Sequence, residues 1–179
     1  MPLVFHLAPW QVAVLNVVWW AFVHTATGYA VHRLPDSRLQ RDGWVLRIRP
    51  WERSGRAYRR VRISRWKDRL PEAGALFAGG VSKRQLPEPG RAGLERFVVE
   101  TRRAERGHWL ALAGGPVAIA WNPPIGAVVM IGYGVVVNLP FIAVQRYNRA
   151  RALRLLARSS TSRRRAVEGS PRTSGSSMP

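Results

Sequence analysis

Residues Trp10–Val31 read WQVAVLNVVWWAFVHTATGYAV, 22 consecutive positions without one Asp, Glu, Lys or Arg. As a helix rising ~1.5 Å per residue the stretch measures roughly 33 Å, enough to cross a hydrocarbon core of about 30 Å. Outward from it, residues 1–32 are free of these charged types, and so are residues 107–145. The 29 Lys+Arg, against 10 Asp+Glu, fall into two blocks: 20 between Arg33 and Arg106 and nine between Arg146 and Arg172. A soluble basic protein spreads its charge over every amphipathic element, whereas a chain segmented in this way has the layout of a membrane protein.

Composition closes off other classes. With no cysteine among 179 residues, there is no disulfide framework, thiolate metal site or cysteine nucleophile. The 46% hydrophobic content is too high for a disordered basic tail. A net charge of +19 would suit a nucleic acid. The charge-free segments make membrane orientation the simpler cause, so no nucleic-acid partner is expected.

The second charge-free window divides at the turn signal Asn122-Pro123-Pro124. After it, Ile125–Gln145 gives 21 residues, ~31 Å of helix, with Gly126, Gly132 and Gly134 for close helix contact and Asn138 with Pro140 as a polar, bendable point. Before it, His108–Trp121 gives 14 residues, only ~21 Å. That segment either extends back through the helical run Arg91–Gly107 or is re-entrant. Met1–Pro9 has no basic n-region, so the first helix is expected to be an uncleaved anchor, its polar spots Asn16, His24, Thr25 and Thr27 facing protein.

The expected fold is mainly α and integral to the membrane, with about three transmembrane helices (residues 10–31, 108–121 and 125–145): one anchor plus a C-terminal helical hairpin. The positive-inside rule puts both basic blocks in the cytoplasm and the N-terminus outside, a multi-pass cell-membrane protein with the bilayer as partner. Residues 32–107 form the basic cytoplasmic region, too short for a secure core of its own. In it Trp44–Arg49 and Arg59–Trp66 alternate weakly like strands, and Trp51, Trp66 and Phe77 suggest an interfacial surface. Residues 1–158 make a single membrane-embedded domain, and the Ser/Arg/Pro/Gly-rich residues 159–179 are expected to be a disordered basic tail.

Three polar runs converge on the cytoplasmic interface in that topology. In Glu100-Thr101-Arg102-Arg103-Ala104-Glu105-Arg106-Gly107-His108-Trp109, helical spacing puts Thr101, Glu105 and His108 on one stripe. A Glu beside a His orients the imidazole and raises its basicity, which suits a general base toward a hydroxyl. The bland alternative is an interfacial His with a helical salt-bridge pattern. A di-metal centre needs a second Glu-x-x-His, which the chain lacks, so no metal is expected. Gln145-Arg146-Tyr147-Asn148-Arg149 reads as a stop-transfer anchor whose arginines snorkel or bind phosphate, with Gln145 and Asn148 on one face. His32-Arg33-Leu34-Pro35-Asp36 reads as a helix stop, with Asp36 as a cap for the next element. Trp66–Pro71 and Gly79–Lys83 are weaker phosphate-contact candidates, and Ser82 lacks a neighbouring His or Asp.

At these motifs the chain resembles the glycosyl-4,4'-diaponeurosporenoate acyltransferases, carotenoid-pathway enzymes of staphyloxanthin biosynthesis. The similarity runs from about Trp20 to Leu155. It includes Arg33-x-Pro35-Asp36, Trp66-Lys67, Glu100-Thr101-x-Arg103-Ala104-Glu105 with His108-Trp109, Asn138-x-Pro140, and Gln145–Arg149. The resemblance implies an integral membrane acyltransferase that esterifies a sugar hydroxyl of a glycosylated carotenoid acid with a fatty acyl group. It implies no resident cofactor and an acyl-CoA or acyl-carrier-protein donor.

Site roles are assigned by chemistry: His108 as general base and Glu105 as its orienting carboxylate. Arg146 and Arg149 would hold an anionic donor, and Gln145 or Asn148 would donate to the developing oxyanion. Arg103 and Asn138 complete the substrate-binding set. The Arg-rich tail and Gly/Ala-rich spans depart from the family and widen the acceptor to another glycolipid or glycosylated terpenoid. The competing function is a non-catalytic membrane scaffold or anionic-lipid-binding protein.

Overall fold

The computed structural model describes residues 7–70 and 90–168, with side chains to residue 161. The described residues are mainly helical, without strands. Helix α1 spans Pro9–His32, and three short helices follow: α2 (Pro50–Arg53), α3 (Arg56–Arg60) and α4 (Ile63–Trp66). Helix α5 spans Gly90–Ala113 and α6 spans Pro124–Glu168. The run around Phe77, Gly79–Lys83 and Ser82 lies outside the described residues.

Local chemistry sets the helix ends. Pro9 sits at the start of α1, where a missing N–H costs nothing, and the Gln11 side chain accepts the Ala8 N–H at 2.8 Å. Pro35 disfavours helix at the residue before it, so α1 stops at His32. Asp36 opens a 3-10 turn (Asp36–Leu39) without capping it, its carboxylate being taken by Arg103 of α5.

Helices α5 and α6 form an antiparallel hairpin, and α1 runs antiparallel along α5. Small residues allow the close approach. A Cβ on Gly114 would lie 2.9 Å from Val23 Cγ1, and one on Gly134 would lie 2.8 Å from Trp20 Cη2, so neither position has room for a side chain. The cluster of Trp20, Val23 and Ala111, with Trp19 and Met130 against it, fills this seam. At the hairpin tip Asn16 and Asn122 form a reciprocal amide pair at 2.9 and 2.8 Å, and the Trp121 indole N–H donates to Asn16 at 2.8 Å.

The segment expected to be the second span is broken. Residues 108–113 complete α5, and the chain then turns at Gly114-Gly115 into a 3-10 helix (Pro116–Ala120) before Asn122 and Pro123. Three spanning helices were expected, and among the described residues one helix, Pro124–Thr161 within α6, is long and apolar enough to cross a membrane, with 28% of its most apolar window buried. Helix α1, carrying Gln11, Asn16, His24, Thr25 and Thr27, does not meet the same measure.

The two expected strands are not strands. Gly43–Arg47 forms a turn, and Arg59–Trp66 is helical, divided at Arg62, which adopts a left-handed φ of 49°. Leu46 and Ile48 are buried, whereas Trp44, of the same parity, is exposed. Their backbone needs no sheet partner, because α6 arginines take the carbonyls of Val45, Leu46 and Arg47. Nor does this region build a core of its own: Tyr58 and Ile63 pack on Val144 of α6, with Trp66, Leu70 and Tyr147 around them. Where a disordered tail was expected from residue 159, α6 continues through residue 168, with Ser159, Ser160 and Thr161 hydroxyls donating to carbonyls one turn back, and residues 169–179 lie outside the described residues.

Candidate active site

The polar centre of the molecule is where α5, α6 and the loop before α2 meet. Glu105 of α5 is 0% exposed. Its Oε1 accepts Arg146 Nη1 at 2.7 Å and the Trp109 indole N–H at 3.2 Å, and its Oε2 accepts Arg149 Nη2 at 2.6 Å. Arg146 also grips buried Glu52 side-on, Nε to Oε1 and Nη2 to Oε2, both at 2.7 Å. With the carbonyls of Val45 and Arg47, all five of its N–H groups find acceptors. One guanidinium thus bridges two buried carboxylates, the fork geometry that makes such pairs strong. Glu52 further accepts the Tyr58 hydroxyl at 2.6 Å and its own capping Arg49 N–H at 2.7 Å.

Arg149, 0% exposed, donates through Nη2 to Glu105 and the Leu46 carbonyl, with Asp42 4.0 Å from its Nε. Its Nε and Nη1 have no hydrogen-bond partner. Arg102 ties Asp42 at 2.6 Å and the Leu39 carbonyl at 3.1 Å. Arg103 collects the Val31 and Leu34 carbonyls at 2.8 and 2.6 Å together with Asp36 and Glu100. Arginines of α5 therefore satisfy the irregular chain that follows α1, and Arg103 holds the exit of that helix.

Burial alone would raise the pKa of Glu52. The hydrogen bonds from Arg146, Tyr58 and the Arg49 N–H outweigh it and hold the carboxyl below its ordinary value. Burial, reinforced by the Glu52 carboxylate, pushes the Tyr58 phenol above its ordinary value. A carboxylate depressed in the folded state stabilises it above the unfolded carboxyl pKa, and loses that contribution as pH falls through the lower folded one. The melting temperature of detergent-solubilised protein is therefore expected to drop on acidification through that window. Glu52→Gln should flatten the dependence, and an equally steep fall in the variant contradicts the assignment.

His108 lies two residues past Arg106, the last charge of α5. Its Nδ1 meets Asn138 Oδ1 at 3.1 Å, and the ring stacks on Phe141 with centroids 4.8 Å apart. The Asn138 amide nitrogen is committed to the Gly134 carbonyl at 3.0 Å, which leaves its oxygen as the acceptor toward His108. Nδ1–H therefore donates to the Asn138 amide oxygen, which orients the ring. Asn138, Gln145 and Arg149, seven and eleven residues apart on one face of α6, are all buried, and Asn148 is half-buried.

The structure thus brings together His108 with Asn138, and Glu105 with Arg146 and Arg149. The carboxylate expected to orient the imidazole is engaged with the two arginines, and an amide meets Nδ1 instead. The sequence reading did not single out Glu52 or Tyr58. The available signal was scarcity, since Glu52 is one of few carboxylates in a block of 20 cations.

A family model described as glycosyl-4,4'-diaponeurosporenoate acyltransferase matches residues 42–158, which include Glu52, Glu105, His108, Asn138, Arg146 and Arg149. A Staphylococcus haemolyticus protein of that name is 29% identical over 147 residues, 79% of this chain and 85% of the relative. A Staphylococcus aureus (strain USA300) protein of the same name is 27% identical over 141 residues, 78% of this chain and 84% of the relative. No solved structure matches.

Proposed function

Because the chain belongs to the glycosyl-4,4'-diaponeurosporenoate acyltransferase family and is an acyltransferase, we propose that it esterifies a sugar hydroxyl of a glycosylated carotenoid acid with a fatty acyl group, His108 acting as general base. The observation that supports this reading is the His108–Asn138 contact, which orients the imidazole through Nδ1. Nε2 takes the proton of the sugar hydroxyl as its oxygen attacks the carbonyl carbon of an acyl thioester. The tetrahedral intermediate collapses, the C–S bond breaks, and the imidazolium returns the proton to the departing thiolate. Gln145, about two turns beyond Asn138 on the same face, is the amide nominated for the developing oxyanion.

The same reading embeds the charge-free end in the cytoplasmic membrane: α1, residues 108–121 and the first half of α6. Among its residues Trp10, Val17, Phe22, Ile125, Val128 and Val136 are exposed, a surface too apolar for water. The arginine-rich end then faces the cytoplasm, with the N-terminus outside. His108, at the boundary, is within reach of a sugar at headgroup level whose polyene lies among the lipid tails. Glu105, Arg146 and Arg149 hold the α5–α6 hairpin at that level.

The test is to incubate purified protein in lipid nanodiscs with a glycosylated carotenoid acid and a labelled acyl thioester. Label is expected to enter the glycoside as an ester that mild alkali removes, regenerating the acceptor. Absence of transfer to the glycosylated acceptor contradicts the proposal.

A further inference from the structure

We propose that the cavity between residues 42–53 and the cytoplasmic half of α6 binds the phosphate-bearing part of the acyl donor, a water-soluble nucleotide thioester of the coenzyme A type. The donor role rests on the acyltransferase reading above. The cavity is a half-open cleft of about 650 Å³, within the range of roughly 300–1,000 Å³ of small-molecule sites. Arg47, Arg53 and Arg154 line it together with Trp44, Ile48 and Leu153.

Arg102, Arg146 and Arg149 have carboxylate partners, whereas Arg47, Arg53 and Arg154 pair with no carboxylate among the described residues. Asp42, the carboxylate on the wall, accepts from Arg102 at 2.6 Å. Beside it Arg149 keeps Nε and Nη1 without partners. Arg154 is held in place by donating to the Arg53 carbonyl at 2.6 Å. Three uncompensated guanidiniums around one concavity draw in a polyanion, and their planar N–H forks suit phosphate oxygens. Trp44, 78% exposed, offers an aromatic surface to a planar base, and Ile48 and Leu153 supply apolar floor.

Depth separates a soluble phosphate from a lipid headgroup. Leu153 and Arg154 lie eight and nine residues beyond Gln145, the last residue of the charge-free stretch, about 12–13 Å along α6. The polar layer of one leaflet is only about 5–8 Å thick. The cavity therefore opens into water beyond the headgroups. From Ala150 on its wall back to Asn138 is twelve residues, about 18 Å. The extended pantetheine arm of coenzyme A covers a distance of that order, which brings the thioester to the level of His108.

The experiment measures binding of coenzyme A itself, without an acyl group, to the full-length protein in nanodiscs by calorimetry. Wild type is compared with the Arg47→Ala/Arg53→Ala double variant. The truncations spare the backbone carbonyls that Arg146 and Arg154 use, so the melting temperature is expected to hold. Coenzyme A should bind wild type, more weakly as salt rises, be displaced by pyrophosphate, and lose at least about tenfold in affinity in the variant.

Equal binding by the variant, or none by wild type, overturns the proposal. So does a phosphate site that responds only to phosphatidylglycerol over phosphatidylcholine nanodiscs, or transfer only from a carrier-protein thioester. Arginine-dependent coenzyme A binding without acylated glycoside would sink the acceptor reading and leave the cavity standing. Transfer from acyl-CoA with unchanged KM in the variant would do the reverse.

Discussion

Replacing His108 with alanine is expected to slow acyl transfer by about 10²–10⁴-fold, the usual worth of a positioned general base. The loss should appear in kcat, because proton removal belongs to the transition state rather than to substrate binding. Alanine also leaves the Asn138 oxygen without its His108 contact in a buried position, which costs about 1–3 kcal/mol, so membrane levels must be compared. His108→Gln controls for this, since its amide N–H can still meet Asn138 and it carries no base. It should be as inactive as the alanine variant at wild-type stability. Asn138→Ala keeps the base but removes the contact that orients its ring, so a smaller loss in kcat is expected. Wild-type rates in both His108 variants would move the base elsewhere.

Glu105→Ala is expected to be the most destabilising single substitution in the polar centre. It removes the carboxylate shared by Arg146 and Arg149 and the acceptor of the Trp109 indole. Arg146 keeps Glu52, but Arg149 is fully enclosed and is left with the Leu46 carbonyl and an aspartate 4.0 Å away. Breaking a buried pair from one side costs about 3–5 kcal/mol, a large share of a typical net stability of about 5–15 kcal/mol. The variant should unfold at markedly lower temperature than wild type. Replacing both members, Glu105→Met with Arg149→Met, should recover much of the loss, since no unpaired charge then remains. A wild-type melting temperature for Glu105→Ala would contradict the network's structural role.

Legibility in the sequence followed the range of the interaction. Helix α1 was readable to within one residue at each end, because prolines and the edges of charge-free chain are local signals. The reading that Asn16 faces protein also followed from local chemistry, since an amide in apolar chain needs a partner; it meets Asn122, 106 positions away. The weakly strand-like alternation of Arg59–Trp66 belongs to a helical segment instead. In Trp44–Arg49, Leu46 and Ile48 are buried but Trp44 is exposed, and the partner satisfying this backbone, α6 with Arg146 and Arg149, is a hundred residues away. Motif spacing put Glu105 and His108 on one helix and suggested that they serve each other. Their partners came instead from α6, through pairings 30 to 44 residues apart that no local pattern encodes.

The most direct test is made in cells that produce a glycosylated carotenoid acid, expressing wild type or His108→Gln at equal membrane levels, with extracted lipids weighed by mass spectrometry. The account predicts a new species heavier than the glycoside by one fatty acid less water in wild type, and its near-absence in the variant. Equal amounts of that species from both proteins would contradict the base. An unaltered glycoside with wild type would contradict the acyl transfer itself.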